Sequence, residues 1–253
     1  FYEGIMPIER DASIENLLKN MNIANIDKAV ICGLPYETAR IDNDFIAKLV
    51  EDHPDRLIGF AIVNPNEGER AIYELDRAVK DLGLKGLKLD PVSQRFYPND
   101  PKIHPLIKKA IELRIPIAIH SGFNEAGPVK YANPALFDDL AMSFPDAKII
   151  MLHSGGASWG RLPFYAQQAI MVAMKNANVW LETSYTDDET ILKALMILGS
   201  NRVIFGTDFP LNKPIFELER LRRLRWKYPG LITEDDLEKI LGGNIAKIVG
   251  IRE

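Results

Sequence analysis

Short apolar runs recur along this chain, and between them lie longer stretches whose apolar positions repeat at helical spacing. The runs centre near residues 28, 58, 86, 117, 150, 180 and 204. They are nearly continuous rather than alternating, which is how a parallel strand covered on both faces reads. Of the intervening stretches, Pro65–Leu82 carries Ile72, Leu75, Val79 and Leu82 on one helical face, and Ile103–Leu113 carries Ile103, Leu106, Ile107, Ala110 and Ile111. The same reasoning predicts helices over Asp11–Met21, Asn43–Glu51, Pro134–Ser143, Leu162–Lys175, Asp188–Leu198, Ile215–Lys227, Thr233–Leu241 and Asn244–Val249. Thr233 followed by Asp236 reads as an N-cap with a first-turn carboxylate, and the Gly242-Gly243 pair as a helix stop.

Strand and helix thus alternate about every thirty residues, the signature of βα units. No linker or composition shift divides the chain, so residues 1–253 are read as one domain of the size usual for a barrel. The expected fold class is α/β, a (β/α)8 TIM barrel. Such a barrel needs eight strands, and the pattern supplies seven. The chain opens with a helix and with Phe1 rather than Met. The expectation is therefore that the first strand lies upstream of Phe1, with an open α/β sheet as the alternative.

Composition narrows the function classes. A net charge of −4 with both signs interspersed gives no electrostatic basis for binding nucleic acid or an anionic membrane. The local cluster Arg220, Arg222, Arg223, Arg225 and Lys227 is read as the solvated face of one helix. No stretch is apolar enough to span a bilayer, and no secretory pattern is present. The single cysteine, Cys32, excludes an internal disulfide and suits a reducing, cytoplasmic setting. Because it ends an apolar run, it is expected to be a buried, inert thiol.

The candidate chemistry lies where the runs end. Ile115-Pro-Ile-Ala-Ile-His120, Lys148-Ile-Ile-Met-Leu-His153, Val179-Trp-Leu-Glu-Thr-Ser-Tyr185 and Arg202-Val-Ile-Phe-Gly-Thr-Asp208 each close on a reactive side chain. Active sites of (β/α) barrels lie at the carboxyl ends of the strands, so these groups would face one mouth. His120 and His153, each followed by Ser and Gly, are read as equivalent positions on consecutive strands. Imidazole nitrogen and carboxylate oxygen together suit a divalent ion. One of Glu182 and Tyr185 is expected to face the mouth, since side chains alternate along a strand. The loop Ser154–Arg161 offers Trp159 and Arg161 for a planar or anionic group, and Asn124–Tyr131 is a second candidate lid. His53 and His104 are expected at the surface.

Taken in order, several pieces resemble the amidohydrolase-related branch of the amidohydrolase superfamily. They are Ile26-Asp-Lys-Ala-Val, His53-Pro-Asp-Arg-Leu-Ile-Gly-Phe-Ala-Ile-Val-Asn-Pro65, Gly83-Leu-Lys-Gly-Leu-Lys-Leu89, Pro116-Ile-Ala-Ile-His120-Ser-Gly, Leu152-His153-Ser-Gly-Gly, Val203-Ile-Phe-Gly-Thr-Asp208-Phe-Pro and Gly243-Asn-Ile-Ala. The resemblance implies a metal-dependent TIM-barrel enzyme with one divalent ion, Zn2+ first, with Mn2+ and Fe2+ compatible. It implies that His120 and Asp208 are metal ligands, that Asp208 also takes a proton, and that His153 contacts substrate or the activated water. The family's first strand carries a His-x-His pair that this sequence lacks. That pair is expected upstream with the missing strand, since a gene without it would encode a non-catalytic relative.

The expected activity is hydrolysis of an amide, ester or lactone-like bond, with Asp208 and His153 as the catalytic residues. Lys88, Trp159, Arg161 and Tyr185 are expected to bind the substrate, Lys88 as a mouth-facing cation. The alternative is decarboxylation of an aromatic or related acid by the same site, and a third reading is a non-catalytic barrel that binds a small molecule. Hydrolysis is preferred because the chain is compact, whereas the family's decarboxylases carry longer insertions. The expected partner is a small-molecule substrate, without nucleic acid or membrane, and the resemblance suggests a homodimer.

Overall fold

In a computed structural model of the protein, residues 11–33, 43–124, 127–156 and 163–251 are described. Seven strands form one parallel sheet in chain order: β1 (Ala29–Cys32), β2 (Leu57–Ile62), β3 (Leu87–Leu89), β4 (Ile117–His120), β5 (Ile149–Leu152), β6 (Val179–Glu182) and β7 (Val203–Ile204). All seven fall in the apolar runs. Their Val, Ile and Leu content favours the pleated, doubly covered position.

The helices are α1 (Ile14–Ala24), α2 (Asn43–Asp52), α3 (Glu69–Lys80), α4 (Pro91–Gln94), α5 (His104–Glu112), α6 (Leu136–Ser143), α7 (Ala166–Lys175), α8 (Asp188–Leu198), α9 (Pro214–Lys227), α10 (Glu234–Glu238) and α11 (Asn244–Val249). Their starts follow local chemistry. Ser13, Asp187 and Thr233 cap α1, α8 and α10 through their side chains, and Thr233 forms a reciprocal capping box with Asp236.

Two cores result. The larger lies between sheet and helices and includes Leu75, Leu87, Leu89, Ile107, Ile117, Ile149 and Leu181. The smaller gathers Phe60 of β2, Ala118 of β4, Ile150 of β5 and Ile204 of β7 around Ile248 of α11. Strands so far apart in a flat sheet could not share one cluster, so the sheet is curled around an interior. The helix before β1 and the helix after β7, α1 and α9, pack against one another. The helical ring closes there, while β1 and β7 do not pair with each other among the described residues.

Two local expectations change. Gly242-Gly243 does not stop the chain: residues Lys239–Gly243 form a π-helical turn that runs directly into α11. The basic cluster is not wholly solvated either. Arg220 is buried and donates to Asp188 Oδ1 (2.9 Å), Glu217 Oε2 (2.9 Å) and Thr186 Oγ1 (3.1 Å). It joins α9 to α8, and a charge so enclosed persists only when paired. No described helix is long and apolar enough to cross a membrane.

Candidate active site

The register of the sheet builds the site in layers. Lys88 pairs with Ala118, Ala118 with Ile150 and Ile150 with Trp180. Ala118 and Ile150 belong to the interior cluster, and Trp180 packs against it. Two residues further along β4 and β6, on the same face, come His120 and Glu182. The interior is therefore apolar below and polar above, with the polar layer at the carboxyl ends.

His153 does not occupy the position equivalent to His120. The residue paired with His120 is Leu152, so His153 lies one step beyond. In a strand that step would turn the side chain to the opposite face. The backbone corrects it: His153 and Ser154 adopt left-handed φ values of 64° and 47°. The ring thereby returns to the mouth, with its centroid 4.8 Å from that of His120 and 5.7 Å from that of Tyr185. Left-handed backbone costs a non-glycine residue roughly 1–2 kcal/mol, so it needs support. Glu182 Oε2 accepts the His153 N–H at 2.9 Å, Ser154 Oγ donates to the Glu182 carbonyl at 2.7 Å, and the Ser184 hydroxyl lies 2.7 Å from His153 Nδ1. Tyr185 and Asp208 are left-handed as well, at 52° and 54°. Strained backbone gathers at this one end of the barrel.

Glu182 is buried and receives three donors: His153 N–H, Ser184 N–H at 2.6 Å and Ser184 Oγ–H at 2.7 Å. Burial nevertheless dominates and pushes its carboxyl up to about 7, with Asp208 adding to the shift. Burial likewise raises Asp208 to about 6, aided by Asp90 and opposed by Lys88. His153 is held well below the ordinary imidazole value by burial, then by the positive charges of His120 and Lys88. Asp90 behaves oppositely. Burial pushes it up, but His120, Lys88 and hydrogen bonds from Ser93 outweigh that and leave it lowered. Its carboxylate caps α4 by accepting from Val92 N and Ser93 N.

Lys88 is 4% exposed. Among the described residues neither its ammonium nor the Asp208 carboxylate makes a hydrogen bond or ion pair. Both groups are left to the mouth. Cys32 differs from expectation: it is exposed, not buried, because the inner face of β1 is uncovered among the described residues. Its thiol is nevertheless raised, first by partial loss of water around the sulfur, then by Asp208 and Glu182 against the pull of Lys88. His53 and His104 are half-buried rather than superficial, and His104 packs edge-on against Phe144 at 4.9 Å. Trp159 and Arg161 lie outside the described residues.

The two expected metal donors, His120 and Asp208, are both at the mouth, but the fit to a metal is incomplete. His120 Nε2 is within 3.2 Å of the Gly122 carbonyl and 3.2 Å of Asn124 Nδ2. Among the described residues no three His, Cys, Asp or Glu side chains converge as a bound ion requires.

Reading from the sequence passed over Ser184 and Asn124 as partners of the histidines. Their only local signal was position, two residues after a strand-end Glu and four after a strand-end His. Of Glu182 and Tyr185, the strand alternation could not choose. The structure uses both, because the left-handed turn at Tyr185 brings a second residue of the same segment beside His153.

Comparison with known proteins places this geometry. A family model described as Amidohydrolase matches residues 8–251. The chain is 25% identical to a gamma-resorcylate decarboxylase of Polaromonas sp., over 91% of this chain and 82% of that protein. It is 24% identical to a 2-amino-3-carboxymuconate-6-semialdehyde decarboxylase of Dictyostelium discoideum, over 85% of this chain and 67% of that one. The solved dihydroxybenzoic acid decarboxylase of Polaromonas sp., with bound manganese and the inhibitor 2-nitroresorcinol, matches with a TM-score of 0.68 at 21% identity, covering 94% of this chain and 86% of its own. That likeness confirms the α/β barrel class. The decarboxylases overturn the expected hydrolase, in both activity and enzyme class. Compactness misled, since these relatives match most of this chain without sharing its length. The chain belongs to the amidohydrolase family, in its amidohydrolase-related branch.

Proposed function

We propose that this protein is a decarboxylase acting on a small aromatic or related carboxylic acid. The observation that carries the reading is the pair of ionisable groups at the mouth, the Lys88 ammonium and the Asp208 carboxyl, with no hydrogen-bond partner among the described residues. Asp90 and Asp208 set negative charge near that ammonium, and its N–H donors, without a direct partner among the described residues, are left to hold the substrate carboxylate. An acid raised to about 6 keeps a proton available near neutrality.

The reaction then divides among this chain's own residues. Lys88 holds the carboxylate and draws it out of water. The mouth above the apolar interior lowers the local dielectric, which favours loss of the charge as neutral CO2. The electrons of the breaking C–C bond remain on the ring carbon, and that carbon takes the proton of the Asp208 carboxyl. Asp208 is left as a carboxylate and regains its proton from solvent. His153 and Tyr185 line the same mouth and orient the substrate through its oxygen substituents.

A divalent ion is the cofactor that the manganese of the solved relative supports, and manganese stands beside zinc as the first to test. The resemblance offers His120 and Asp208 as donors. The described residues complete no such site, so no step here runs through a metal.

The test is direct. The full chain, with and without manganese, is incubated with 2,6-dihydroxybenzoate and related hydroxybenzoates while CO2 is measured, beside a panel of lactones and esters. The reading expects CO2 release and no hydrolysis. Hydrolysis without CO2, or neither activity in the presence of either metal, would overturn it.

A further inference from the structure

Ser184 links the buried carboxylate to the mouth imidazole, and the accounting of its single proton has a consequence. Two of the three donors to Glu182, the backbone N–H groups of His153 and Ser184, can only donate. In its ionised form the carboxylate can only accept, so the Ser184 hydroxyl, 2.7 Å from Oε2, donates to it as the third. A hydroxyl that has spent its proton can only accept from its remaining neighbour. That neighbour is His153 Nδ1, also at 2.7 Å. Nδ1 must therefore carry the hydrogen, and Nε2, on the far edge of the ring, keeps its lone pair.

The arrangement is tightly framed. A Cβ on Gly206 would lie 1.8 Å from Glu182 Oε1 and 2.5 Å from Cδ, so only glycine leaves the carboxylate its place. Direct contact between the imidazole and the carboxylate is weak by comparison, with Nδ1 3.8 Å from Oε2. The serine carries the coupling.

We infer that Ser184 and Glu182 are positioning residues that lock His153 as its Nδ1–H tautomer, so that Nε2 accepts a hydrogen bond from a hydroxyl of the substrate. The preference for a hydroxylated acid rests on the decarboxylase reading. The tautomer lock does not.

The experiment reads both. Protein labelled with nitrogen-15 at its histidines is examined by NMR, with the His153 signals assigned through His153→Gln. The wild type is expected to show a protonated Nδ1 and a bare Nε2. Ser184→Ala is expected to lose that pattern and to lower kcat on a hydroxylated acid by about 10- to 100-fold, the range in which loss of a tautomer-fixing partner is felt, with KM changing less. Ser184→Thr, which keeps the hydroxyl, restores both. Glu182→Gln, which removes the fixed acceptor, shifts the tautomer even where Ser184→Ala folds poorly. A wild-type ring protonated at Nε2, or a pattern unchanged in both Ser184→Ala and Glu182→Gln, would overturn the inference. Failure of CO2 release in the wild type overturns only the decarboxylase reading, because the nitrogen spectrum is read without substrate.

Discussion

The two mouth histidines stand in the same tripeptide, His-Ser-Gly, on neighbouring strands, and the barrel treats them differently. His120 ends β4 on the inward face, where strand alternation puts it, and its Nε2 turns to a backbone carbonyl and to Asn124. His153 falls one residue past the inward position and reaches the mouth only through left-handed backbone. Its ring is then held by Ser184 rather than by its own loop. The serines that follow are more alike. Ser121 Oγ donates to the Leu152 carbonyl and Ser154 Oγ to the Glu182 carbonyl, each reaching the end of the next strand at 2.7 Å. The tripeptide therefore ties strand ends together, and what the histidine does is decided by whatever the next strand presents.

The comparison breaks first if His153 is dispensable. His153→Ala is expected to lower kcat for CO2 release by about 10²-fold or more, the penalty usual for a misplaced substrate, while thermal unfolding shows the barrel intact. Next in size, Lys88→Met is expected to raise KM for the acid about 10- to 100-fold, the worth of a charge-assisted hydrogen bond, with a smaller change in kcat. The pH profile of kcat tests the acid itself. Only protonated Asp208 delivers the proton, so the rate is expected to fall as pH rises through about 6, approaching a tenfold loss per unit above it. A profile flat between pH 5 and 8 (set here by about one unit below and two above that value) would assign the proton to another group.

Stability tests sharpen the contrast between the two tripeptides. Gly122 has φ 107°, and a Cβ there would meet the Gly156 carbonyl oxygen at 2.0 Å; Gly155 has φ 75°, and its Cβ would meet the backbone of Tyr165 at 2.7 Å. Both conformations strain any residue with a side chain, but the first also collides harder. Gly122→Ala is expected to destabilise by about 4 kcal/mol and Gly155→Ala by about 2 kcal/mol in urea unfolding. The serine ties are the smallest and the most similar. Ser121→Ala and Ser154→Ala are each expected to cost about 1 kcal/mol, a net hydrogen bond, and a large inequality between them would mean the two ties are not alike.

Much of the frame was readable because it depends on local pattern. Seven apolar runs became seven strands, and the Thr233–Asp236 pair became a capping box. That Lys88 and His120 share the inner face also follows from alternation once the strand ends are known. What could not be read depends on backbone turning out of strand geometry. No periodicity announces that His153 is left-handed, that Tyr185 is too, or that Gly206 makes room for a carboxylate from another strand. Arg220 and Cys32 were misplaced for a related reason. Whether a charge is enclosed or a thiol uncovered is settled by tertiary surroundings: Asp188, Glu217 and Thr186 around Arg220, and an inner face of β1 that the described residues leave uncovered at Cys32.

The small interior cluster has a consequence for the chemistry above it. Ile248 of α11 sits among side chains from four strands, and Lys148, the residue before β5, donates to the Ile248 carbonyl at 3.0 Å. The helix thus works as a stopper driven into the far opening of the tube. Loosening it would admit water beneath Lys88, where extra hydration would quench the pull of that ammonium on a bound anion. A defect at the plugged end would then register as weaker substrate capture at the open one.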